Sequence, residues 1–357
     1  MIDLGPLSPL LSDPSITEIM VNAHDLVFIE RSGRLETSNA RFQDANTVIT
    51  LIGRLARECG REVGPESPYF DGYLEDGSRI NAVIPPMAMG SPALTIRKLS
   101  GNNLTLIDLI QSGSISHKGA YLLHAAVQAR LNILICGGTG SGKTTLLNVA
   151  ASLIPQGERI ITIEDVAELR LDNTNWVRLE AVRRPGGRGV TTRECLINAL
   201  RMRPDRILVG ECRKDETFEM LQAMNTGHEG SMTTLHANSP RDCFARIESL
   251  VATSDVDFPL SALRKQIASA LDLVIHIKRL RDGQRVVHEI VEVTGMEQDT
   301  ITTQTLLSRE KGTKGGGPSE LAATGLATTL MERFSAAGIQ FPPNFFDPGS
   351  KIIYRPE

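Results

Sequence analysis

Aromatic residues make up only 4% of this 357-residue chain. That is too few for the stacked platforms on which single-stranded nucleic acid is bound. Cysteine is also sparse: Cys59, Cys136, Cys195, Cys212 and Cys243 are odd in number, scattered, and form no C-x-x-C pair. This excludes both a disulfide framework and a cysteine zinc site. No apolar run approaches the ~18 residues of a membrane span. The opening MIDLGPLSPLL has no basic segment and no small-residue cleavage site, so it does not read as a signal peptide. An excess of positive charge is missing too. Lys and Arg total 38 against 42 Asp and Glu, giving a net charge of −4 and a pI near 6.0. A nucleic-acid-binding domain usually shows a pI above about 9. Lysine itself is scarce, with 9 Lys against 29 Arg. A codon bias explains such an excess, and so does a need for planar forks that grip phosphate. The length predicts two to three domains at roughly 150 residues each.

The first hundred residues read as a small α+β unit. Val27 to Glu30 and Leu35 to Thr37 flank a hairpin turn at Arg31-Ser32-Gly33-Arg34. Residues 44–60 have helical periodicity, with Val48, Ile49, Ile52, Leu55 and Ala56 on one face. Strand-like runs follow at Phe70 to Leu74 and Arg79 to Ile84, with a turn at Glu75-Asp76-Gly77, and again at Ala93 to Arg97. The expected organisation is a domain over 1–100, a hinge at 101–104, an α/β domain over 105–295 and a small tail over 296–357. In the α/β domain, short apolar strands at 131–136, 160–163, 207–209 and 231–235 alternate with helices, which implies a mainly parallel sheet. In the tail, KGTKGGGP at 311–318 reads as a flexible linker and 319–337 as a helix.

The strongest local signal is Gly137-Gly138-Thr139-Gly140-Ser141-Gly142-Lys143-Thr144, which fits G-x-x-x-x-G-K-[ST] between an apolar strand and a helix. The glycines let successive N–H groups turn toward one anion, and the helix N-terminus adds partial positive charge. Gly138 through Thr145 are the expected phosphate-binding residues. Lys143 is expected to reach the β- and γ-phosphates of ATP, and the Thr144 hydroxyl to face Mg²⁺. Such a site also needs carboxylates. Two acidic clusters follow apolar strands: Glu164-Asp165, and Glu211 one step beyond the run ending at Gly210, where the usual aspartate is absent. Acidic residues also cap helices, so position alone leaves that alternative open. His228 and His236 bracket a further strand. They stand at its opposite ends and so do not share a metal.

The ordered segments GGTGSGKTT, TIEDVAEL, RMRPDRILVGECR and TGHEGSMTTLHANSP resemble the Walker A, Asp box, atypical Walker B and His box of the type II and type IV secretion ATPases. The flanks DGSRINAVIPP, PALTIRKLS and RFSAAGIQFPPNFF look most like the branch that drives the tight-adherence (Flp-type) pilus. The resemblance implies a PAS-like N-terminal domain, a RecA-like ATPase domain and a homohexameric ring. It implies a motor working from the cytoplasm on inner-membrane platform proteins, held at the membrane only through partners; the acidic balance and few aromatics argue against direct nucleic-acid contact. It assigns water activation to Glu164, a water-mediated Mg²⁺ contact to Glu211, and γ-phosphate sensing to His228 and His236. Arg79 and Arg97 match arginines that the family directs from the N-terminal domain at the nucleotide. Arg193, Arg201 and Arg203 are placed on the helix before the Walker B strand, and Arg183, Arg184 and Arg188 in the loop before it, facing either solvent or a neighbouring subunit. Members of the pilus branch often carry a further N-terminal helical extension, whereas this sequence starts almost at the PAS-like unit. The alternatives are a conjugation or DNA-uptake ATPase of the same superfamily, a nucleotide-switched scaffold with little turnover, and a nucleic-acid motor.

Overall fold

The computed structural model describes residues 4–31, 33–74, 76–98, 104–182, 189–254, 258–309 and 320–355. The chain divides into two compact units, Met1–Asn102 and Asn103–Glu357.

In the first unit a short helix, α1 (Ser8–Ser12), precedes the strands β1 (Ile16–Ala23), β2 (Leu26–Arg31) and β3 (Arg34–Thr37). The helix α2 (Ala45–Glu58) follows, then β4 (Tyr69–Tyr73), β5 (Arg79–Val83) and β6 (Ala93–Arg97). The strands form an antiparallel sheet in the order β3-β2-β1-β6-β5-β4. Asp44 starts α2 by accepting the Thr47 N–H at 2.8 Å. The helix buries Val48, Leu51, Ile52, Leu55 and Ala56 in a cluster shared with Ile19, Val21, Ile80 and Ile96 of the sheet. Leu51 thus takes the place expected of Ile49, which is only partly buried. β1 pairs with both β2 and β6 and was not anticipated, because Thr17, Glu18 and Asn22 interrupt its apolar residues. In the expected turn, Asp76 accepts the Ser78 N–H and Gly77 takes a positive φ of 83°. Ser32, Glu75 and residues 99–103, which include all of the expected hinge but residue 104, lie outside the described residues.

The second unit opens with α3 (Leu106–Gln111), α4 (His117–Gln128), β7 (Ile133–Gly137), α5 (Lys143–Ser152), β8 (Ile160–Glu164) and β9 (Trp176–Glu180). It continues with α6 (Thr192–Ala199), β10 (Arg206–Cys212), α7 (Glu216–Asn225), β11 (Met232–His236), α8 (Pro240–Ala252) and α9 (Leu260–Ala270). It ends with β12 (Leu273–Arg279), β13 (Arg285–Glu297), β14 (Thr300–Arg309), β15 (Leu321–Ala323) and α10 (Met331–Ala336). The sheet order is β15-β14-β13-β12-β7-β11-β10-β8-β9. The pairs from β12 through β9 are parallel, and β13, β14 and β15 extend the sheet antiparallel. Both faces are covered. Ile133 and Ile135 of β7 enter a cluster with Leu122 of α4 and Leu147 of α5. Leu134 and Cys136 enter another with Leu196 of α6, Met220 of α7, Phe244 of α8 and Ile267 of α9. Burial on both sides is why these strands read as unbroken apolar runs.

Two expectations for the tail are corrected. Residues from 296 onward do not form a separate tail, since β13 runs through to Glu297 and β14 and β15 belong to the same sheet. Nor is 319–337 one helix. It contains β15, a turn with Gly325 at φ 94°, and the six-residue α10. The cause is a tertiary contact. The fully buried Glu292 of β13 accepts the Thr328 hydroxyl at 2.7 Å, the Thr329 N–H at 3.0 Å and the Gln304 side chain at 3.0 Å, and also bonds the Thr329 hydroxyl. Holding 328 and 329 to a carboxylate prevents a continuous helix there. The linker 311–318 lies outside the described residues.

Candidate functional site

The parallel strands bring their C-terminal ends to one edge, where ligands bind in open α/β sheets. β7 leads into the glycine loop. Gly140 and Gly142 adopt positive φ angles of 67° and 97°, and Gly142 is the N-cap of α5. Gly137 is demanded by space: a Cβ there would lie 2.3 Å from the Ile277 carbonyl oxygen. Ser141 Oγ donates to the Gly138 carbonyl at 2.8 Å, tightening the loop. Lys143 is buried at the start of α5 and donates to the carbonyls of Gly137 and Gly138, each at 3.2 Å. Thr144 and Thr145 follow it in the first turn of α5.

His236 ends β11, paired in register with Gly137. Both of its ring nitrogens lie 3.3 Å from Lys143 Nζ, and Nε2 lies 2.8 Å from Glu211 Oε1. Burial depresses the His236 pKa most, Glu211 opposes that, and the Lys143 and Arg213 charges add to the depression. Glu211 lies within β10, which runs on to Cys212 instead of ending at Val209 as the sequence suggested. Its Oε2 accepts Arg213 Nε at 2.6 Å. Arg213 NH1 also lies 3.5 Å from Asp165 Oδ2, while Asp165 Oδ1 accepts the Thr192 hydroxyl at 2.8 Å. Glu211 Oε1 is buried and accepts no hydrogen bond, since the nearby His236 nitrogen is at ion-pair distance without hydrogen-bond alignment. A hard oxygen left without a proton donor beside a phosphate loop suits a magnesium ion or its bound water.

Glu164 ends β8. Its Oε1 accepts the N–H groups of Glu168 and Leu169, both at 3.0 Å. Burial outweighs those bonds and pushes its carboxyl up to about 7. Gly210 of β10 leaves room for it, as a Cβ at that position would stand 3.0 Å from Glu164 Cγ.

The structure therefore brings Lys143, Glu164, Glu211 and His236 to one edge. It does not bring His228 there. His228 precedes β11, whose N-terminal end lies at the opposite edge, and its Nδ1 is 3.3 Å from the Ala223 carbonyl. A five-residue strand alone separates the edges by about 13 Å. Within one chain, then, His236 lies beside the phosphate loop and His228 does not. Arg79 and Arg97 face each other across β5 and β6 in the first unit, Arg79 being 3.4 Å from Asp71. Arg193 lies on α6, 2.9 Å from Glu219. Arg201 and Arg203 lie past the end of α6, not on it, and Arg203 has a positive φ of 54°. Arg183, Arg184 and Arg188 lie outside the described residues. Sequence reasoning missed Arg213, Arg279 and Arg285 at the site. Arg213 stands two residues from Glu211 and could have been flagged by that spacing. The other two reach the loop only through hairpin register.

The family described as type II/IV secretion system protein matches residues 1–327. A Mycobacterium tuberculosis protein provisionally named for conjugal transfer is 41% identical over 295 residues, covering 80% of this chain and 83% of its own length. Protein VirB11 of Rhizobium radiobacter is 32% identical over 321 residues, covering 81% and 92%. Among solved structures, the pilus retraction motor PilT with bound ADP shares the fold at a TM-score of 0.56 and 23% identity, covering 81% of this chain and 82% of that one. No helix among the described residues is long and apolar enough to cross a membrane. On the family match over residues 1–327 and these relatives, the chain belongs to the type II/IV secretion system protein family.

Proposed function

We propose that this chain is an ATP-hydrolysing motor of a secretion machinery of the conjugal-transfer kind, acting as a homohexamer at the cytoplasmic face of an inner membrane through protein partners. The observation that carries the reading is that the parallel strands deliver Glu164, Glu211 and His236 to the same edge as the glycine loop, where Lys143, His236 and Glu211 meet. In this reading the loop N–H groups bind the ATP phosphates, and Lys143 leaves the Gly137 and Gly138 carbonyls for them. Thr144 and Glu211 hold Mg²⁺, which supplies charge neutralisation on the phosphate oxygens when bound. Glu164 orients the attacking water and accepts its proton, and a carboxyl titrating near 7 suits that exchange at neutral pH. His236, bridging Lys143 and Glu211, registers whether the γ-phosphate is present. His228 has no part at the phosphate of its own chain.

The names of the relatives favour conjugation or secretion over the tight-adherence pilus. The sequence flanks are what favour the pilus. Deleting the gene distinguishes them: loss of DNA or protein transfer with pili intact supports the first, and loss of pili alone the second. For the chemistry, purified protein should release phosphate from Mg-ATP, and Lys143→Ala should lower turnover about a hundredfold or more, as removal of an electrostatic donor does. Wild-type turnover in Lys143→Ala would refute the site. Binding without turnover in the wild type would mark a nucleotide-switched scaffold instead.

A further inference from the structure

The hairpin of β12 and β13 lies directly against the phosphate loop. The last β12–β7 pair is His276 with Cys136, and β12 then continues past the loop as Ile277, Lys278 and Arg279. Arg285, which opens β13, faces Arg279 across the hairpin. Arg285 Nε donates to the Gly140 carbonyl at 3.0 Å. Its aliphatic stem fills the space beside Gly142, with Cδ 3.3 Å from where a Cβ there would stand. Arg279 NH1 lies 3.6 Å from the matching point at Gly140.

The Gly140 carbonyl and the Ser141 N–H belong to one planar trans peptide, so they point in opposite directions. Fixing the carbonyl outward on Arg285 therefore fixes the N–H inward. The Ser141 N–H does point across the loop, making a long 3.4 Å bond to the Gly138 carbonyl that a seated anion can replace. Gly140, at positive φ and without a Cβ, gives this peptide plane unusual freedom, so the Arg285 bond adds to the two Ser141 bonds to Gly138 in fixing it. We propose that Arg285 is a positioning residue of the phosphate loop: its Gly140 bond preorganises the Ser141 N–H toward a polyphosphate. This rests on the nucleotide-binding reading above.

The test uses the full chain and the fluorescent nucleotide mant-ADP. Arg285→Met keeps the stem beside Gly142 and removes the donor. Loss of a charged hydrogen bond predicts that its mant-ADP Kd and its ATP KM rise about tenfold, while kcat at saturating ATP changes less than twofold. Arg285→Lys, which retains a charged donor without the fork, should recover part of the affinity. A Kd for Arg285→Met within twofold of wild type, with binding lost in Lys143→Ala, overturns the proposal and leaves the nucleotide reading standing. A fall in kcat with unchanged Kd also overturns it, since that pattern reports loss of folded molecules. Absence of mant-ADP binding in the wild type overturns both.

Discussion

Replacing Glu164 by Gln should abolish hydrolysis and, at the same time, make the protein more stable. The carboxyl is 4% exposed and titrates at about 7 instead of 4.5, because burial disfavours its charged form. A displacement of that size corresponds to ~3 kcal/mol. Below about pH 4.5 the group is protonated in both folded and unfolded chains and costs nothing. As pH rises toward 7 the unfolded chain loses the proton and the folded chain keeps it, so stability falls. Above about 7 the folded carboxyl is ionised as well and the full ~3 kcal/mol is lost. Gln cannot ionise, and its carbonyl oxygen can still accept the Glu168 and Leu169 N–H groups. The variant should therefore be about 3 kcal/mol more stable than wild type at pH 8, and within about 1 kcal/mol at pH 5. Urea unfolding can be followed through Trp176, the single tryptophan, which sits on β9 and donates to Thr162 of β8 at 2.9 Å. Equal stability of the two proteins at pH 8, or the same pH dependence in both, would refute the argument from burial. The wild-type kcat should also fall on acidification, with a midpoint near 7, as the base becomes protonated.

Two further outcomes are expected. Glu211→Gln should bind mant-ADP normally without magnesium but lose most of the gain that magnesium confers, because an amide oxygen in place of this buried carboxylate oxygen is a poorer cation ligand. An unchanged magnesium requirement, measured by titration, would take Glu211 out of the metal site. Glu292→Ala should cost about 3 kcal/mol, since it strands the donors on Thr328, Thr329 and Gln304. Limited proteolysis should then clip 320–355 faster than in the wild type, and an unaltered cleavage rate would show that this carboxylate does not hold the tail.

Much of the ATPase unit was legible in the sequence for a physical reason. β7, β8, β10 and β11 are buried on both faces, so each announces itself as an apolar run, and each carries at or next to its C-terminal end a residue the chemistry needs. Elements whose place depends on distant partners were not legible. β1 carries Thr17, Glu18 and Asn22, and it is recognisable as a strand only once β2 and β6 flank it. The tail resembled a helix until Glu292 captured Thr328 and Thr329. The arginine excess behaved similarly. Sequence singled out Arg79 and Arg97, whereas Arg285 touches the loop because the β12–β13 register delivers it there.

The large sheet ends differently at its two sides, and neither end invites another strand. One side closes with β15, only three residues long. The other closes with β9, which places Arg178 and Glu180 on the rim, the Arg178 guanidinium lying 4.9 Å from the Trp176 ring. Short edges and rim charges both discourage chains from joining by backbone pairing. The large sheet thus stays the property of one chain, and a second copy would have to engage this unit through side chains and loops and not by extending its backbone ladder.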